Sequence, residues 1–195
     1  MHIADVGFIG WIHGLGCVLA LALGAWNIVI FDRGKWHRLR GQIYTGAMIV
    51  TNLLVFAIYD FDMDFAAGRA GPGIFGFFHW LAVSAIVFTA VGWFASQRQR
   101  HGVWAYVHPI AMLLSYYVLA GGLVNEMFAR IDVLREMAYM VVDGQRRFGS
   151  RIVGLSQFAV MVATFLLIVL FTVRVALRRR KRKHRGAPAS AVAAE

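Results

Sequence analysis

Residues 7–31 read GFIGWIHGLGCVLALALGAWNIVIF, 25 positions without one charge, and Asp32-Arg33-Gly34-Lys35-Trp36-His37-Arg38-Leu39-Arg40 follows directly. A hydrocarbon layer about 30 Å thick is crossed by about 20 apolar residues at 1.5 Å each. The first run is therefore long enough to span, and the basic step after it reads as a cytoplasmic edge. Within the run stands His13, a polar ring that is costly in lipid and calls for a reason.

Outward from this stretch the pattern repeats. Uncharged runs lie at Gln42–Tyr59, Ile74–Ser96, Val103–Asn125 and Ile152–Val173. The second extends back to about Gly34, with Asp32 placed to cap it. The reading is an all-α integral membrane bundle of five transmembrane helices, a four-helix core plus one. The spans fall at about 7–31, 34–59, 74–96, 103–128 and 152–177. Residues 178–195 are then a basic, disordered cytoplasmic tail. Composition agrees, with 59% hydrophobic residues, 15% charged and a mean hydropathy of +0.63, too apolar for an ordinary soluble domain.

The net charge of +10 does not point to nucleic acid. Eight of the 20 Lys and Arg residues lie between Arg174 and Arg185, directly behind the last apolar run, where a basic cluster faces anionic lipid headgroups. One cysteine, Cys17, excludes an internal disulfide. Met1 to Val6 lacks a positive leading region and no small-residue cleavage site follows, so the first helix is expected to be retained.

Loop charge sets the expected topology. Arg33, Lys35, Arg38 and Arg40 fill the first connection, Arg98 and Arg100 the third, and Asp60, Asp62 and Asp64 the second. This places the N-terminus outside and the C-terminus in the cytoplasm. The six tryptophans all fall near run ends, where aromatic belts sit. The fourth connection is expected to hold a short surface helix with a stripe of Val133, Leu134, Met137, Met140 and Val141.

Four of the seven histidines lie one per helix on the first four spans. His13 and His79 sit near the outer ends, His13 about 9 Å deep; His37 and His108 sit at the inner ends. Opposed imidazoles on different helices are what a bis-histidine b-type haem requires, and two haems at different depths would divide a membrane too wide for one electron-transfer step. Lys35, Arg38 and Arg40 could pair with haem propionates. Against this stands the plainer reading of interfacial or interhelical hydrogen-bonded rings, with His108 before Pro109 as a helix cap. His13, Cys17 and Glu126, the last beside Asn125, also form a thinner candidate set for zinc or copper.

The order of an early His in helix one, Lys35-x-His37-Arg38-x-x-Gly41-x-x-Tyr44, Phe78-His79, and His108-x-x-x-Met112-x-x-Ser115-Tyr116 resembles a domain-of-unknown-function family of predicted bacterial integral membrane proteins. The resemblance covers about residues 7–130; Pro109 departs from it, a basic residue being the pattern there. It implies a multi-span protein of the bacterial inner membrane and supplies no activity. The histidine layout is similar to that of transmembrane dihaem b-type cytochromes, in arrangement rather than in sequence. The resulting expectation is a membrane b-type haem protein, with one or two haems, moving electrons between a quinol or cytoplasmic donor and an outer acceptor. The alternative is a haem-free accessory subunit or small-solute or proton transporter, with a polar file through His13, Asn52, Tyr116 and Glu126. The partners left open are a quinol, a redox protein and a second copy of the chain.

Overall fold

The computed structural model describes residues 7–30, 34–58, 63–64, 69–70, 77–98, 102–142 and 144–185. The cap expected at Asp32, the acidic Asp60 and Asp62, and the tail from Gly186 lie outside them. Among the described residues there are six helices: α1 Phe8–Val29, α2 Lys35–Ile58, α3 Phe77–Gln97, α4 Trp104–Arg130, α5 Asp132–Ala138 and α6 Arg151–Arg185. All but α5 are long and apolar enough to cross a membrane. The chain is an all-α membrane bundle, as the five uncharged runs imply.

The helices pack in chain order, α1 on α2, α2 on α3 and α3 on α4, with a lighter seam between α1 and α4. Thus α1 and α3 stand on one diagonal of the core and α2 and α4 on the other. The core is lined by small and medium side chains, with Ala20, Tyr44, Met48, Ala85, Val118 and Leu119 forming its largest buried cluster. Close approach depends on glycine where α1 meets its neighbours: a Cβ on Gly24 would lie 2.5 Å from Tyr116 Cδ2 and 3.0 Å from Tyr44 Cε2. Small residues at helix contacts are how bundles pack when lipid supplies no hydrophobic drive.

Outside this core, α6 lies against α4. Gln157 Nε2 donates to the carbonyl of Gly121 and to Asn125 Oδ1, both at 2.9 Å. Most of α6 is otherwise exposed, as a lipid-facing fifth helix should be. It also runs further than expected: residues 178–185 continue the helix rather than beginning a disordered tail. Leu177 and the Arg and Lys residues after it are good helix formers, and no Gly or Pro interrupts them before Gly186. Arg179 anchors this extension with its guanidinium 5.4 Å from the ring of Tyr106.

The connection after α4 also differs. Helix α5 ends at Ala138, and Tyr139–Val142 pairs with Gln145–Phe148 as an antiparallel hairpin. Met140 and Val141 are therefore strand residues, not the far side of a surface helix. An aromatic and β-branched run followed by Asp143-Gly144 is a hairpin signal, and Gly144 takes φ +73° in the turn. A second short hairpin joins Met63–Asp64 to Arg69–Ala70 in the connection between α2 and α3. Both hairpins lie at the same end of the bundle. The opposite, basic end carries the starts of α2 and α4 and the end of α6.

Trp11, Trp26, Trp36, Trp80 and Trp93 are exposed near helix ends, which suits rings at the two interfaces of a bilayer.

Candidate functional site

At the basic end, His37 enters in the first turn of α2 and His108 in the second turn of α4. They come from diagonally opposed helices and meet across the bundle, ring centroids 6.5 Å apart and planes at 80°. Helix α4 begins at Trp104, so His108 lies inside it and does not cap it. Pro109, next to it, removes the N–H that would bond the Ala105 carbonyl, a loss that transmembrane helices tolerate when neighbours compensate. The His108 ring is oriented by α3: its Nδ1–H donates to the Gly92 carbonyl at 2.8 Å. The carbonyl can only accept, so the proton sits on Nδ1 and the second nitrogen, Nε2, is the basic one.

At the hairpin end the two remaining histidines approach α2 from different sides. His13 Nδ1–H donates to the Thr51 carbonyl at 2.9 Å, and its Nε2 accepts from the Cys17 thiol at 3.6 Å. His79 is fully buried, its ring 5.3 Å from that of Phe56. Positions 51 and 56 are separated by about 7.5 Å along α2 and about 140° around it. The predicted inner pair is thus brought into direct apposition. The predicted outer pair shares one end of the bundle and is held against two faces of one helix.

Of the three predicted propionate partners, Arg40 is engaged elsewhere. Its Nε donates to Asn27 Oδ1 at 3.0 Å and its guanidinium lies 5.6 Å from the Trp26 ring, tying α2 to the end of α1. Lys35 lies 5.6 Å from the ring of Trp36, and both Lys35 and Arg38 are exposed one turn or less from His37. These two stand where an anionic group near His37 would find cations.

The zinc or copper set does not assemble. Among the described residues no group of three or more His, Cys, Asp and Glu side chains could hold a metal ion. Glu126 instead pairs with Arg130, and Asn125 is taken by Gln157. A proton file through Asn52 and Tyr116 is likewise not formed: Asn52 Nδ2 donates to the Met48 carbonyl of its own helix at 2.7 Å, and Tyr116 reaches the Leu21 carbonyl at 3.4 Å.

A two-imidazole site suits a metal only where another group fills the remaining positions, as a porphyrin would. Two imidazole nitrogens about 2.0–2.1 Å from one metal ion, with about 1.1 Å more to each ring centre, set the centroids about 6.3 Å apart. The separation of His37 and His108 is 6.5 Å. A ligating histidine typically donates its other N–H to a carbonyl or carboxylate, and His108 and His13 both do so. The donor set at the basic end therefore fits a bis-histidine haem.

Sequence reasoning missed a polar level deeper in the core. Tyr44 and Ser115 are both buried, and their hydroxyls hydrogen-bond across the bundle at 2.9 Å. The available signal was a shared offset, since Tyr44 follows His37 and Ser115 follows His108 by the same seven residues.

Compared with known proteins, the chain matches no family model, no curated protein and no solved structure.

Proposed function

We propose that the chain is a membrane b-type haem protein that moves electrons between a quinol or cytoplasmic donor and an acceptor on the outer side. The apposition of His37 and His108 across the α2–α4 diagonal carries this reading. In it, these two residues hold one haem at the cytoplasmic side, with Lys35 and Arg38 near its acidic edge. His13 and His79 are the ligands of a second haem toward the outside; there the Cys17 thiol must give up its bond to His13 Nε2. The haem, when bound, supplies a one-electron carrier; the protein's part is to hold it, orient it and keep it dry.

Support for the orientation comes from charge. The ends of α2, α4 and α6 that carry Lys35, Arg38, Arg40 and the Arg178–Lys181 run are the side that retention of basic residues assigns to the cytoplasm. The motif resemblance to predicted bacterial membrane proteins suggests the inner membrane of a bacterium.

The rival reading is a haem-free subunit or transporter, favoured at the hairpin end by the fact that His13 already spends both ring nitrogens on protein partners. A reduced-minus-oxidised visible spectrum of the purified, haem-replete protein separates the two. The proposal expects a b-type α-band. Its absence, where a control cytochrome made in the same cells acquires haem, leaves the rival standing.

A further inference from the structure

The connection between α4 and α6 is a built unit. The carbonyl of Ala138, the last residue of α5, accepts the backbone N–H groups of both Gly149 and Ser150 at 2.9 Å. The return of the hairpin is thereby pinned to the end of α5. Phe128, Ala138 and Val153 form a buried cluster, with Leu134 and Tyr139 packed against it. Phe128 lies in the last turn of α4 and Val153 in the first turn of α6. The unit is therefore seated at the level where two spans end. Trp11 and Trp80, exposed in the first turns of α1 and α3, stand at the same end of the bundle.

At 100° per residue α5 presents three arcs. Leu134 and Ala138 form the arc packed on the bundle. Asp132, Arg135 and Glu136, all exposed, form a charged arc. Between these lie Val133 and Met137, one turn apart and 73% and 48% exposed. Val141, on the first strand of the hairpin, is 74% exposed. Arg146 and Arg147 stand opposite Val141 and Met140 in register, and the exposed Arg151 opens α6. A stable interface between two copies takes about 20–30 residues a side, far more than this strip offers. Apolar side chains level with interfacial tryptophans and bordered by arginines match the boundary between acyl chains and lipid phosphates.

We propose that α5 and its hairpin form a foot set into the lipid headgroup layer at the hairpin end of the bundle. Val133, Met137 and Val141 dip into the acyl boundary. The arginine-bearing second strand and Arg151 lie at the level of the lipid phosphates, and the charged arc of α5 faces water. Because the foot is fixed to the last turn of α4 and the first turn of α6, it sets the depth at which both helices sit. Its partner is the phospholipid surface, and its role is independent of haem.

The test uses the full chain with Cys17→Ser, in vesicles of phosphatidylcholine and phosphatidylglycerol. One spin label is attached to a cysteine introduced as Asp132→Cys, Val133→Cys, Met137→Cys or Val141→Cys. Collision with oxygen, which concentrates in lipid, against collision with a water-soluble nickel chelate reads the depth of each label. Labels at 133, 137 and 141 should lie about 5–10 Å into the headgroup and acyl boundary, and the label at 132 in water. Val133→Asp with Met137→Asp, which alters only exposed positions, should move the label at 141 out toward the chelate. Four labels equally open to the chelate would overturn the proposal. So would labels at 133 and 137 shielded from both reagents, or broadened by a second spin, since a protein partner or another copy would then cover the strip. An unchanged depth at 141 in the doubly substituted chain would overturn it as well.

Discussion

The carbonyl of Gly92 on α3 accepts the Nδ1 proton of His108 on α4 across 2.8 Å. This bond sets the tautomer and pitch of one member of the His37–His108 ring pair, and it ties the basic end of α3 to that of α4. It leaves Nε2 as the basic nitrogen of His108, the one that the proposed haem would use.

If the haem reading holds, replacing His37 or His108 with alanine removes the basic-end haem and leaves membrane insertion intact. The expected readout is loss of one b-type component from the redox-difference spectrum of each variant. An unchanged spectrum in both would reassign the ligands. His79→Ala should by the same logic remove only the hairpin-end component.

Cys17→Ala should raise haem loading at the hairpin end. The thiol is a weak donor, but it occupies the nitrogen of His13 that coordination requires. Haem-to-protein ratio measured on purified protein should increase, with the basic-end component unaltered.

Gly24→Ala should destabilise the bundle by about 1–3 kcal/mol. The added methyl would lie 2.5 and 2.7 Å from two ring carbons of Tyr116, and an aromatic ring cannot fold away as a methionine can. Reversible denaturant unfolding in mixed micelles reads the loss, and Gly14→Ala, which meets open space, serves as its control.

Gln157→Leu should weaken the attachment of α6 to α4. It removes two hydrogen bonds and leaves the buried Asn125 carbonyl without that donor, at a cost of about 1–3 kcal/mol. Cysteines introduced on facing positions of α4 and α6, in a Cys17→Ser background, should cross-link more slowly in this variant.

Five spans, a core of four and an outlying fifth were legible because charge-free runs of spanning length allow few other structures in lipid. One histidine per helix, alternating in depth, was enough to bring His37 and His108 to one level. It could not show whether rings face each other, since that depends on which helices stand on a diagonal. His13 illustrates the gap: Cys17 lies on its own helix face four residues on, but its Thr51 backbone partner is set by α1–α2 packing. Met140 and Val141 were misplaced because a helical stripe was counted without weighing Asp143-Gly144 as a turn. The helical reach of residues 178–185 was hidden by reading charge as disorder, when Arg and Lys are sound helix formers.

Because α2 and α4 run the same way with a common step of seven residues, His37–His108 and Tyr44–Ser115 behave as two pins of one plug. Sliding either helix by a single residue, about 1.5 Å along and 100° around its axis, would unseat both pins together. Neither pairing can loosen alone, so a disturbance at the membrane surface near His37 is mechanically tied to the hydroxyls buried two turns below.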